Sequence, residues 1–519
     1  MVFKIIILIA FFAVMIGIGI YCRKNSTDVN GFVLGGRSVG PWLTAFAYGT
    51  SYFSAVVFVG YAGQFGWKYG IATTWAGIGN ALLGSLLAWV VLGRRTRIMS
   101  QHLNSATMPQ FFEARYGSTS LKIAASLITF IFLIPYTASV YNGLSRLFGM
   151  AFSIPYEYCV IAMAVLTAVY VIAGGYMATA INDFVQGIIM LVGIVAVIIV
   201  VLKNNGGLTE ALNGLAMAKD ETVSSAPGIF ASFFGPDIPN LVGVVILTSL
   251  GTWGLPQMVQ KFYAIKSEKS ISTGTVVSTV FAIVVAGGCY FLGGFGRLFA
   301  DQIDVVKDGY DSVIPTMLSS LPDALLALVI VLVLSASMST LSSLVLTSSS
   351  TLTLDLLKGH VVKDMKEKTQ VLVMRILILV FIIISVVIAL YQYNTKLAFI
   401  AQLMGVSWGA LAGAFLAPFL YGLYWKKTTK AACWVSFIFS TVFMIVVTLN
   451  NAFGLDIIKI KFLASPINAG AFCMIAGLII VPLVSLITPK PDKQVVDEAF
   501  ACYEEKVLVS QKEALADEG

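Results

Sequence analysis

The segment Leu334-Ser-Ala-Ser-Met-Ser-Thr-Leu-Ser-Ser343 sets Ala336, Ser339, Thr340 and Ser343 at steps of three and four, with Ser342 beside them. On a helix, residues so spaced share one face. Several hydroxyl oxygens on one stripe can replace the hydration shell of a small hard cation. Sodium suits such neutral oxygens, with at most one carboxylate. The stripe also has a plainer use, because small residues let helices approach closely and hydrogen-bond across the interface. A carboxylate stands in Ala178-Thr-Ala-Ile-Asn-Asp-Phe-Val-Gln186, where Asp183 follows Asn182. It reads either as a helix N-cap or as an ion ligand near the inner face. Two stretches can interrupt helices: Gly49-Thr-Ser51, and Leu250-Gly-Thr-Trp-Gly-Leu-Pro256. Carbonyls freed in such breaks bind cations, and the half-helix N-terminus beyond a break favours a carboxylate. A proline kink is the ordinary reading of the second stretch.

The elements that must position these residues are set by hydropathy. The chain has 519 residues, 58% hydrophobic and 11% charged, against about 25% charged in soluble domains. So little charge cannot cover a globular surface, and lipid must solvate much of the molecule. Runs long enough to cross a bilayer core, about 20 helical residues, fall near 3–22, 41–65, 71–93, 121–149, 155–180, 183–203, 238–261, 272–298, 322–354, 371–392, 396–421, 431–450 and 466–488. They predict an all-α membrane protein of about thirteen transmembrane helices. Residues 1–489 would form one transmembrane domain and 490–519 a polar, mobile cytoplasmic tail. The first run lacks the flanks of a cleaved signal peptide and reads as a retained span.

Cations gather in alternate loops: Arg23, Lys24 and Arg37; Arg94, Arg95, Arg97 and Arg115; Lys261, Lys266 and Lys269; Lys358, Lys363, Lys366 and Lys368; Lys426, Lys427 and Lys430. The opposite loops carry fewer, such as Lys68, Lys203, Lys219 and Lys396. The positive-inside rule then puts the N-terminus outside and the C-terminus in the cytoplasm. The net charge of +7 is topogenic rather than a nucleic-acid footprint, so lipid is a partner and nucleic acid is not. The six cysteines lack metal or redox spacing. No enzyme domain and no phosphate-binding loop of the G-x-x-x-x-G-K-S/T type is present. Nucleotide hydrolysis is thereby disfavoured and an ion gradient favoured as the energy source, with no organic cofactor expected. The two breaks lie on the second and seventh runs, five apart. Corresponding interruptions in two halves are the best sequence pointer to a carrier's binding site.

Four motifs in order then resemble the sodium:solute symporter family, of the proline and pantothenate symporter kind. Leu34-Gly-Gly-Arg-Ser-Val-Gly40 is similar to the loop before the family's first core helix. Tyr170 to Gln186 is similar to its fourth-to-fifth helix junction. Ala336-Ser-Met-Ser-Thr-Leu-Ser-Ser343 is similar to its eighth. Gly413-Ala-Phe-Leu-Ala-Pro418 with Tyr424-Trp-Lys-Lys-Thr-Thr429 is similar to its tenth and the exit loop. The resemblance implies a LeuT-type five-plus-five inverted-repeat core and sodium-coupled import of a small organic solute at the plasma membrane.

It also implies site residues. A main sodium site would use backbone oxygens of Thr50, Phe53 and Ala336 and the hydroxyls of Ser339 and Thr340. A second, present in some members, would use Asp183, Ser342 and Ser343 with Ser339. The sequence shows no Lys or Arg in the fifth or sixth run before Lys203, so a bound cation would suit Asp183. Tyr52, Tyr136 and Trp253 are candidate solute residues. Tyr136 in Pro135-Tyr-Thr-Ala-Ser139 resembles the binding tyrosine of proline symporters, yet Tyr52 and Val56 stand where those show Asp and Trp. Thr50-Ser-Tyr-Phe-Ser-Ala55 and Gly254-Leu-Pro-Gln257 are closer to pantothenate permeases. The resemblance thus implies a carboxylate-bearing solute such as pantothenate, proline or another amino acid, or a monocarboxylate. A proton-coupled carrier of the same fold and a non-transporting membrane sensor are the alternatives.

Overall fold

Backbone groups in lipid must be satisfied within their own segment, so apolar runs of this length fold as helices. The computed structural model describes residues 2–25, 27–152, 155–220, 223–224, 226–319, 321–362, 364–395 and 400–504. Lys363, Lys396 and the tail beyond Glu504 lie outside the described residues. The main helical runs are α1 (Val2–Tyr21), α2 (Pro41–Tyr52), α3 (Val56–His102), α4 (Thr119–Phe152), α5 (Tyr156–Asn204), α6 (Ile238–Gly254), α7 (Pro256–Tyr263) and α8 (Lys269–Gly293). They continue as α9 (Asp323–Thr351), α10 (Glu367–Thr395), α11 (Ile400–Tyr424), α12 (Lys430–Phe453), α13 (Pro466–Ile487) and α14 (Lys493–Ala501). Among the described residues nine helices are long and apolar enough to cross a membrane, or ten if α6 and α7 form one bent span.

Two of these runs exceed one crossing. The 49 residues of α5 would stretch about 73 Å as a straight helix, more than twice a hydrocarbon core of about 30 Å. α5 breaks at Gly175, with φ 58° and ψ −153°. α3 breaks at Gly70, with φ 61° and ψ −141°. Both conformations lie in the positive-φ region that glycine enters without a Cβ penalty. The sequence expectation put the first of these boundaries between 180 and 183. A glycine pair proves a stronger break than the polar Asn182-Asp183.

α9 lies at the centre. Every residue from Val329 to Thr351 is buried, and α9 packs on α2, α4, α5 and α10. In the most apolar window of α9, 83% of the residues are buried, and in α11 89%, against 33% for α10. The serine-rich stripe is therefore enclosed by protein, while α10 offers its side to lipid. α11 packs on α4, α6, α12 and α13.

The C-terminal segment does not start as a loose one. Asp492 caps α14 by accepting from the Gln494 amide at 2.8 Å. Val496, Ala499 and Phe500 are buried, and the Arg115 guanidinium lies 4.9 Å over the Phe500 ring. The apolar residues within this polar stretch form one docking stripe.

Candidate ion and solute sites

α2 begins with Pro41 at its first turn and stops at Tyr52. Phe53 is extended, with φ −106° and ψ 92°, and the chain turns helical again at Val56. The last carbonyls of a helix lack intrahelical donors, so this break releases oxygens inside the protein. α9 answers them. Ser339 donates its hydroxyl to the Thr50 carbonyl at 3.0 Å, and Thr340 to the Ser51 carbonyl at 3.3 Å. Both hydroxyls also reach the Ala336 carbonyl, at 3.2 and 3.1 Å. Thr50, Ala336, Ser339 and Thr340 thus come together, with Ser51 added. Phe53 contributes its amide to the Gly49 carbonyl at 3.1 Å and stacks its ring on Tyr52 at 4.2 Å. The cluster is buried and neutral. Hydroxyls that turn their protons away present lone pairs beside the carbonyls, which is the donor set a sodium ion takes at an unwound helix.

The second break separates α6 from α7. Leu255 is extended at φ −81° and ψ 122°, and the two axes differ by 46°. Pro256 restarts the helix, its missing amide harmless at a first turn. α7 is then fixed by Gln260, whose amide donates to the Val33 carbonyl at 3.0 Å while its oxygen accepts from Thr347 of α9 at 2.7 Å.

The next residue, Lys261, corrects the sequence reading. It was grouped with the cytoplasmic loop cations, yet it is 2% exposed. Its ammonium donates to Ser343 Oγ at 2.9 Å and lies 3.8 Å from Asp183 Oδ2. It also sits 5.2 Å over the Tyr176 ring. The 46° bend turns α7 inward instead of letting it run out to the surface. A cue was present: Lys261 stands between Val259 and Phe262-Tyr-Ala-Ile265, apolar company for a loop charge.

Asp183 lies within α5, eight residues beyond the Gly175 break, so it does not begin a helix. Among the described residues, no group hydrogen-bonds either carboxylate oxygen. The N-cap reading therefore fails. Ser343 shares its hydroxyl with Ser51 Oγ at 2.8 Å. Ser342 bonds back along its own helix to the Ser339 carbonyl at 2.9 Å.

The three candidate solute residues divide. Tyr52 and Tyr136 meet the same ring, Trp408 of α11, at centroid distances of 6.1 and 5.8 Å. All three are at most 1% exposed. The Tyr52 hydroxyl is engaged by the Thr248 carbonyl. The Tyr136 hydroxyl neighbours Ser54 and Trp408 without a hydrogen bond of good geometry to either, and the Trp408 indole nitrogen likewise has no acceptor among the described residues. Trp253 commits its indole to the Leu83 carbonyl at 2.9 Å. Trp408 was missed in the sequence, although a tryptophan deep inside a span, away from the interfacial belt, is the cue that marks it. A separate cavity of about 710 Å³ is lined by Gln64, Lys68, Asp237, Asn240, Gln402 and Asn468 among others.

A helical membrane protein with two interrupted helices, one break meeting a buried, hydroxyl-rich helix and the half-helix beyond the other packing on it, has the architecture of a secondary transporter. The model of the sodium:solute symporter family matches residues 32–439, and the chain belongs to that family. It is 29% identical over 494 residues to the osmoregulated proline transporter of Bacillus subtilis (strain 168), covering 93% of this chain and 94% of that one. It is also 29% identical over 505 residues to the sodium/proline symporter of Staphylococcus aureus (strain JH9), at 94% and 93% coverage. Among solved structures, a substrate-bound, outward-open sodium-coupled sialic acid symporter superposes with a TM-score of 0.74 at 16% identity, covering 94% of this chain and 99% of that one. The fold is the LeuT-type one, and the protein is a transporter rather than an enzyme.

Proposed function

We propose that this protein imports a small carboxylate-bearing solute together with sodium, and that proline is the first solute to test. The observation that carries the reading is the meeting of the α2 break with the α9 hydroxyls, Ser339 on Thr50 and Thr340 on Ser51. Sodium would bind among Thr50, Phe53, Ala336, Ser339 and Thr340. The solute would lie against Tyr52, Tyr136 and Trp408, its carboxylate taken by the unpaired Tyr136 hydroxyl and Trp408 indole. Trp253 would hold the rim through Leu83. The two proline-carrying relatives support a solute of this kind, while Tyr52 and Val56 leave room for other amino acids, monocarboxylates or pantothenate.

In this reading residues 1–489 form the transporter domain in about thirteen spans, the N-terminus lies outside and 490–519 are cytoplasmic. The docking of the C-terminal segment supports that orientation, because Tyr503 bonds the carbonyl of Arg95 at 3.1 Å, within the arginine cluster. One sodium ion descending about 150 mV and a tenfold gradient yields about 5 kcal/mol. That sustains a solute ratio of several thousand. The test is uptake into proteoliposomes carrying the full chain, with proline and a panel of small carboxylates competing, at fixed pH. Sodium-dependent accumulation of at least one carboxylate is expected. Uptake indifferent to sodium would overturn the coupling, and uptake of uncharged solutes alone would overturn the substrate class.

A further inference from the structure

The oxygens expected to hold a second sodium ion are already engaged by the protein. Ser343 accepts from the Lys261 ammonium at 2.9 Å and shares its hydroxyl with Ser51 at 2.8 Å. Ser342 spends its proton on the Ser339 carbonyl. Asp183 faces Lys261 at 3.8 Å. The position of the ammonium is not a chance rotamer. It follows from the Leu255 break, from the pinning of neighbouring Gln260 to Thr347 one turn beyond Ser343 on α9, and from the Tyr176 ring beneath it. The charge balance closes as well. Asp183 supplies one negative charge and Lys261 one positive charge, both in buried surroundings. A sodium ion added there would leave the pocket with a net positive charge that no described neighbour offsets.

We propose that the Lys261 ammonium is the resident counter-ion of Asp183, standing where a second sodium ion would otherwise bind, so that this carrier takes one sodium ion per cycle. The inference rests on the sodium-coupled reading. It deepens that reading by assigning the ion count to a named side chain. Lys261 also reaches the neutral site through Ser343 and Ser51, so the tethered cation occupies the turn of α9 next to the one that binds the free ion.

The experiment is equilibrium binding of radioactive sodium to the purified full-length protein in detergent, at constant ionic strength and without solute. The wild type should bind one ion. Lys261→Met, which strands the Asp183 carboxylate, should bind two, and Asp183→Asn added to it should return the count to one. If Lys261→Met fails to accumulate, Lys261→Gln removes the charge while keeping a donor for Ser343 and carries the same expectation. Two ions in the wild type overturn the proposal, as does a count that stays at one when Lys261 is neutralised in a folded protein. A wild type that binds none overturns the proposal and the sodium reading together, and so is told apart from the other failures.

Discussion

Two consecutive turns of α9 face the same break in α2 and differ in charge. The turn from Ala336 to Thr340 offers neutral oxygens and meets backbone carbonyls. The turn ending at Ser343 meets a lysine and, beyond it, an aspartate. The first arrangement has donors whose protons can rotate away, so a cation can enter and leave without stranding a charge. The second holds its cation on a covalent tether. Neutral oxygens leave no charge behind when their ion departs. A carboxylate in a buried setting instead demands constant compensation. One helix thus sets neutral oxygens against the α2 break on one turn and meets, on the next, an ion pair held by α5 and α7.

The sharpest way to break the comparison is to remove one partner of the pair. Asp183→Asn leaves Lys261 buried without its carboxylate, and loss of one member of a buried ion pair costs about 3–5 kcal/mol. Thermal unfolding in detergent should register a large loss for this variant. The double variant Asp183→Asn/Lys261→Met should recover most of it. An Asp183→Asn protein as stable as wild type would mean that the two side chains do not compensate each other.

The neutral turn should respond in the opposite sense, with the larger loss in binding and the smaller one in stability. Ser339→Ala/Thr340→Ala removes two ligands and should weaken sodium activation of uptake by more than about thirtyfold, roughly 2 kcal/mol. Insertion should be kept, and unfolding temperature should fall less than in Asp183→Asn, because carbonyls rather than a charge lose their partners. Unaltered sodium activation would remove these hydroxyls from the site.

A smaller effect separates ion from solute. Tyr136→Phe deletes the unpaired hydroxyl while keeping the contact with Trp408. Hydrogen bonds to charged groups contribute about 1.5–3 kcal/mol, so solute affinity should fall about tenfold or more. Sodium binding without solute should be unaffected. Equal solute affinities in the two proteins would place the carboxylate elsewhere. The smallest change is expected from Ser342→Ala, since that hydroxyl bonds back along its own helix. Sodium affinity should move by less than about threefold, and a larger shift would make Ser342 a ligand after all.

Much of this was readable from residue order. Hydropathy and charge marked a helical membrane domain because lipid leaves so few ways to satisfy a backbone. The i, i+3, i+4 spacing of Ala336, Ser339 and Thr340 determined that they share a face, since helical geometry is local. The Gly254-Leu-Pro256 interruption was visible because glycine and proline act on their own segments, whereas the α2 break falls at Phe53 and Ser54, beyond the Gly49-Thr-Ser51 stretch that stays helical. What lies opposite those residues was not local. Lys261 sits 78 positions from Asp183, and its sequence neighbourhood fits a loop after a span as well as a half-helix. The 46° bend between α6 and α7 decided that it turns inward. Trp408 joined Tyr52 and Tyr136 for the same reason, through packing of α11 on α4 and on the helical segment after the α2 break. The sequence by itself determined which side chains could hold an ion, because that depends on residue type and helical period. The tertiary structure alone decided which oxygens already have a cation, because a buried charge is matched in space rather than along the chain.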